Sequence, residues 1–221
     1  MKNSFIDSLQ LKINEQWDSI KKGPFWNLVF MKPISKNLYY DLMIEIYHYT
    51  RHNSMNQAVT AFIDAPEGLL KFVYRHAHEE LGHERMVTHD LESIQLLNRA
   101  DLKRQPLPAT EALIGYLYFV ALKYGPIARL GYSFWAENVY HHIDDVLNKI
   151  KHDLSLTDKN LSFFVAHAKI DAKHIDEVEE CIQKYVKTSE DEGLVEQVAR
   201  TTLFLTGEML KQISEKYGKN S

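Results

Sequence analysis

The chain has 221 residues, enough to bury a sizeable core, and we expect one domain spanning 1–221. Its 26 basic and 30 acidic residues leave a formal charge of −4, and no segment concentrates basic residues without acidic neighbours, which argues against nucleic acid as a partner. A single cysteine, Cys181, excludes an intrachain disulfide and a cysteine-built zinc site.

The N-terminus, Met1 to Asp7, lacks the apolar run of a signal peptide. Glycine and proline then punctuate the chain at Gly23-Pro24, Pro33, Pro66, Pro106 with Pro108, and Gly125-Pro126. The pieces between them have helical periodicity, and helices are predicted at 3–22, 36–60, 66–98, 109–124, 126–151, 157–187 and 190–217. The longest apolar run, 112–122, is about half of what a bilayer span requires, so a soluble, cytoplasmic protein without a membrane partner is expected. Thr157 is placed to cap the sixth helix, and Ser189 to Glu192 reads as a capping box for the last. No alternating β-branched stretch is long enough for a strand. The expected fold is an all-α bundle of about seven helices.

Three segments carry metal-ligand residue types. His167, Asp171 and His174 stand at i, i+4 and i+7, which places imidazole, carboxylate and imidazole on one helical stripe. Phe163, Phe164, Ile170, Ile175 and Val178 continue that helix with apolar residues, so part of the stripe should face inward. Lys169, Lys173, Asp176 and Glu177 support the alternative of a solvated face. Glu80 and His83, at i and i+3, are neighbours on a helix, but His76, His78, Glu79, Glu84, Arg85 and His89 crowd the same segment and leave an exposed face open as well. Gly82 lies between them, where a helix interior is disfavoured by roughly 1 kcal/mol relative to Ala; close approach of a neighbour is the expected reason. Glu137 sits among Phe134, Trp135, Val139 and Tyr140, and needs a cation, either Arg129 or a metal. Together, mixed imidazole and carboxylate ligands without cysteine suit iron or manganese better than structural zinc.

On these residues the sequence resembles the heme-oxygenase-like di-metal oxidases and oxygenases. Their superfamily also holds TenA-type proteins and the pyrroloquinoline-quinone-forming oxidase. The resemblance runs through Glu45 to His52, His76 to Glu84, Pro106 to Thr110, Gly115 to Tyr118, Gly131-Tyr132, and the 167–174 stripe. It implies a heme-oxygenase-like bundle and two iron ions per chain, with manganese as an alternative, held by Glu80, His83, Glu137, His167, Asp171 and His174. The short spacing of Glu80 and His83 is closest to that of the terminal-alkene-forming fatty-acid decarboxylases. TenA-type enzymes carry a nucleophilic cysteine on the middle helix, where this chain has Glu137; Cys181 lies elsewhere and reads as a small core or near-surface residue. A heme-binding histidine on the first helix is also missing, since the first histidine is His48.

The expected function is therefore dioxygen activation at a non-heme dinuclear iron site, followed by oxidation of a small organic molecule. N-oxygenation, desaturation and oxidative C–C cleavage all remain open. Small-molecule substrate and O2 are the expected partners, and a homodimer the expected assembly. A non-catalytic binding or regulatory protein of the same fold, and a cofactor-free oxidase, are the alternatives. Tyr116, Phe119, Tyr132, Trp135 and Tyr140 are candidates for core or cavity wall; Arg51, His52 and Lys123 are candidates to hold a substrate carboxylate, with solvated surface as the expectation for each.

Overall fold

Helical periodicity resolves into nine α-helices in the computed structural model, which describes residues 4–218 except the side chains of Ser4 and 169–173. They are α1 (Ser4–Lys21), α2 (Pro24–Met31), α3 (Lys36–Val59), α4 (Glu67–Glu79), α5 (Glu84–Ser93), α6 (Pro108–Ala136), α7 (Tyr140–Leu154), α8 (Ser162–Tyr185) and α9 (Ser189–Glu215). The described residues contain no strand, so the all-α expectation holds.

The count differs from seven for two local reasons, and one boundary moves. Pro24 opens the short helix α2, burying Phe25, Trp26 and Val29 where only a connection was expected. The helix expected over 66–98 breaks at 80–83, between α4 and α5. The helices expected to part at Gly125 instead run on through a kink there, with φ +74° at Gly125 and Pro126 following. The break comes later, at 137–139, ahead of α7.

Helices α6 and α9 form the centre. Leu113, Leu117, Val120, Ala128, Leu130 and Phe134 of α6 face Val195, Val198, Ala199, Leu203, Met209, Leu210 and Ile213 of α9 within one continuous apolar core. The two backbones approach closely at Gly131: a Cβ added there would lie 2.1 Å from the Val195 carbonyl oxygen. Each fully buried large side chain in this core, Trp17, Phe134 and Leu117 among them, contributes roughly 1.5–3 kcal/mol relative to exposure.

Two helices that matter below begin on carboxylates supplied by other helices. The α6 N-terminus has no side-chain cap of its own. Glu45, buried on α3, accepts from the Leu107 N–H at 3.0 Å and the Thr110 hydroxyl at 2.7 Å. The α8 N-terminus is likewise uncapped locally. Asp90 of α5 accepts from the Ser162 N–H at 2.8 Å, the Ser162 hydroxyl at 2.6 Å and the Phe163 N–H at 2.9 Å. Thr157, expected as that cap, pairs instead with Asn160 in a short 3-10 turn. The capping box of α9 is shifted by one residue, to Thr188 and Asp191. Among the described residues no helix is long and apolar enough to cross a membrane.

Asp90 satisfies two otherwise unpaired N–H donors of α8 in a fully buried setting. Asp90→Ala is expected to lower stability by about 1–3 kcal/mol in a urea melt, the cost of leaving buried donors unpaired. An unchanged midpoint would mean that α8 does not depend on this cap.

Candidate metal centre

The α4 stripe Leu69, Phe72, Val73, His76 and Ala77 is buried, and Glu80 continues it one turn later. The helix stops there because Gly82 adopts φ +92°, a conformation that breaks helical geometry and that other residues rarely adopt. Glu80 is thus the C-cap of α4 and His83 the N-cap of α5; they are presented by a turn rather than by one helical face. The expected close neighbour at Gly82 is absent: an added Cβ would meet only the Arg85 side chain, at 3.7 Å. Positive φ, not packing, explains this glycine. Glu137 is the C-cap of α6, at the turn into α7. His167 and His174 project from α8. The side chain of Asp171, expected between them, lies outside the described residues.

These elements bring ligand atoms into two groups. One holds His76, Glu80, Glu137 and His174, all buried; the other holds Glu80, His83 and His167. Glu80 is common to both. Five of the six expected ligands therefore converge. His76 joins them and was not among those expected, although its place on the apolar stripe of α4, four residues before Glu80, was the signal for it. Glu137 Oε1 lies 3.1 Å from His76 Nε2, and Oε2 lies 3.3 Å from His174 Nδ1. His83 Nδ1 lies 3.0 Å from His167 Nε2 and 3.5 Å from Glu80 Oε1.

A further layer orients these groups. His167 Nδ1 is 2.7 Å from the Phe163 carbonyl, to which it donates, so Nε2 keeps its lone pair and turns it toward His83. Glu79 holds the outer nitrogen of His174 at 3.1 Å. Asn53 donates to Glu80 Oε2 at 2.8 Å. Arg129 forms no ion pair with Glu137 among the described residues. Its guanidinium, 1% exposed, donates to Asn56, Ser133 and Asn53 and lies over the Tyr132 ring. Asn53 and Asn56 were not singled out in the sequence, where an amide carries no distinguishing pattern.

Burial works to raise the Glu80 carboxyl, but the hydrogen bond from His83 and the nearby imidazoles outweigh it and bring the pKa to about 2. Burial also opposes ionisation of Glu137, and hydrogen bonds from His174 and His76 hold it below the usual range. The bond to Glu137 pushes His174 up to about 9 against the effect of burial. His167 is driven down chiefly by burial. Two ionised carboxylates thus lie in the interior beside imidazoles, one of them holding a proton where a cation would sit. Nitrogen and carboxylate oxygen donors, without sulfur, fit a hard-to-borderline divalent ion.

An apolar cavity of about 140 Å³ opens from this group. Glu80, Glu137 and His167 stand at one end, and Trp26, Leu42, Ile150 and Leu210 are among its other walls. Tyr132, Trp135 and Tyr140 line it, whereas Tyr116 does not and Phe119 is exposed. Arg51 and Lys123 are exposed, as expected; His52 is half-buried against Tyr118. Cys181 is buried on α8, its thiol pushed up to about 11 by burial, and takes no part in the cavity wall.

Residues 41–206 match the profile of a family described as an iron-containing redox enzyme. The chain belongs to that family. Among solved structures, it is similar to a domain of unknown function with a heme oxygenase-like fold from Shewanella denitrificans OS217. The two share 43% identity over 96% of this chain and 92% of that one, with a TM-score of 0.91. A TenA homologue from P. horikoshii OT3 (13% identity, 96% and 98% covered, TM-score 0.77) has the same fold. So does one from Pyrococcus furiosus (13% identity, 95% and 99% covered, TM-score 0.74). The fold of this family member is thus heme-oxygenase-like. No protein of curated function matches the sequence.

Gly82 gives a direct test of the turn that presents Glu80 and His83. Gly82→Ala is expected to destabilise the metal-free protein by about 1–2 kcal/mol, because alanine is strained at this φ. A stabilised variant in a denaturant melt would place Gly82 in ordinary helix and undo the turn.

Proposed function

We propose that this chain is a non-heme dinuclear iron oxidase or oxygenase that uses O2 to oxidise a small organic substrate. The observation that carries the reading is the pair of ligand groups sharing Glu80, buried at the end of an apolar cavity. In it, Glu80, His83, Glu137, His167 and His174 hold the metal, with Asp171 as the sixth ligand implied by the family resemblance. Ferrous iron bound there supplies the electrons for dioxygen activation.

The protein's own part follows from the geometry. Glu80 contributes its charge to both groups at once, so it couples their occupancy. His174 gives up its proton to bind, and Glu79 keeps the ring oriented while it does so. Phe163 fixes the His167 ring through its carbonyl. The cavity walls exclude water and keep a reactive oxygen species from being lost. Lining positions run from Leu42 to Asn53 on α3 and from Tyr140 to Ile150 on α7, a length of about 15 Å at about 1.5 Å per residue. Among the described residues, its charged or imidazole lining groups are Glu80, Glu137 and His167. The substrate class this favours is a slender apolar molecule without a second charge at its far end, since an unpaired charge there would be costly.

Anaerobic ferrous titration tests the reading. About two ions per chain are expected, the number that two ligand groups hold. Glu80→Ala should lose both, whereas His83→Ala should lose one and keep the group built on Glu137 and His174. No specific uptake, or one ion still bound by Glu80→Ala, would count against a shared dinuclear centre.

A further inference from the structure

His76 falls within a ligand group, yet its hydrogen bonding assigns it another task. It is 1% exposed, and Nε2 faces Glu137 Oε1 at 3.1 Å. Among the described residues Nδ1 has no hydrogen-bond partner. A buried N–H without an acceptor is costlier and rarer than a buried acceptor without a donor. A single ring proton therefore sits on Nε2, is donated to Glu137, and leaves a bare lone pair at Nδ1. A nitrogen that holds a proton has no lone pair for a metal.

Glu80 is treated in the same way by a different residue. Arg129 Nη2 donates to Asn53 Oδ1 at 3.0 Å, which fixes the orientation of the amide. The other end of that amide then donates to Glu80 Oε2 at 2.8 Å. In each carboxylate one oxygen is held by an N–H donor. The other turns to an imidazole: Glu80 Oε1 lies 3.5 Å from His83 Nδ1, and Glu137 Oε2 lies 3.3 Å from His174 Nδ1.

We propose that His76 and Asn53 are positioning residues, each holding one oxygen of a buried carboxylate so that the other is presented to the metal. His76 is then a donor to Glu137 and not a seventh ligand. This rests on the metal-centre reading of the site. It adds that the amide and the imidazole act through the glutamates, and that Arg129 acts on Glu80 through Asn53.

The test uses the full chain and cobalt(II), whose visible bands report the number and type of ligands. Glutamine carries an N–H at about the reach of imidazole Nε2 but is a poor metal ligand, so His76→Gln should keep both the affinity and the bands of the unaltered chain. His76→Leu and Asn53→Leu should each weaken binding on the order of 10–100-fold, the usual effect of removing a residue that orients a ligand. If His76→Gln binds as poorly as His76→Leu and its bands change, His76 is a ligand and the proposal is overturned. Nitrogen-15 NMR of the metal-free chain is a readout independent of metal and of any variant that fails to fold. A proton on Nε2 of His76 supports the assignment, and one on Nδ1 overturns it. Failure of the unaltered chain to bind cobalt(II) or ferrous ion would instead remove the dinuclear reading, with the tautomer still read by NMR.

Discussion

The structure depends on two carboxylates, Glu80 and Glu137, ionised in the interior of a helical bundle. Left alone, each would cost several kcal/mol, or would take up a proton. Here the imidazoles of His76, His83 and His174, the amide of Asn53 and the charge of Arg129 surround them. Helices α3, α4, α6 and α8 each supply one of those groups, and the turn at 80–83 supplies His83. The apolar core elsewhere provides the stability that such an arrangement consumes.

Geometry at the centre is set by how helices start and stop. The helices leading to Glu137 and carrying His167 and His174 begin against carboxylates fixed on α3 and α5, Glu45 and Asp90. Their starting points are therefore anchored to other parts of the bundle and not to local turns. At the far end of α6 and at the end of α4, the helix stops on the buried glutamate itself. From these positions Glu137 meets His174 of α8 and Glu80 meets Asn53 of α3. The breaks at 80–83 and 137–139 are thus part of the site.

How much of this the sequence carried varies by residue. The all-helical fold and the α8 spacing of His167 and His174 were legible, because periodicity is a local property. Gly82 was legible as an anomaly but misread, since the apolar stripe continues from Leu69 to Leu91 across the break and hides it. The break at 137–139 contains neither glycine nor proline and left no mark. Pro24 was seen as punctuation, although a proline at the first turn starts a helix as readily as it ends one. The roles of His76, Asn53 and Arg129 depend on which atom meets which. In one dimension Glu137 left Arg129 and a metal both open as its cation; in three, two asparagines and a serine take the guanidinium's hydrogen bonds.

That arrangement of Arg129 has a physical consequence. A guanidinium bonded directly to Glu137 or Glu80 would neutralise the carboxylate and compete with any cation for it. Arg129 instead donates to Asn53, Asn56 and Ser133 and is itself held down to about 10 by burial. Its field reaches both glutamates without occupying their oxygens. The interior charge is thereby partly offset while the ligand atoms stay free. The cavity enters the same balance from the other side. Among the described residues its walls carry no charged or imidazole group beyond Glu80, Glu137 and His167, so no further counter-charge there screens the field of the two glutamates. A divalent cation placed among them would be attracted strongly, and a second negative group entering with a substrate would be repelled unless the cation met it. A preference for a divalent cation and a preference against a negatively charged substrate would thus share one electrostatic origin.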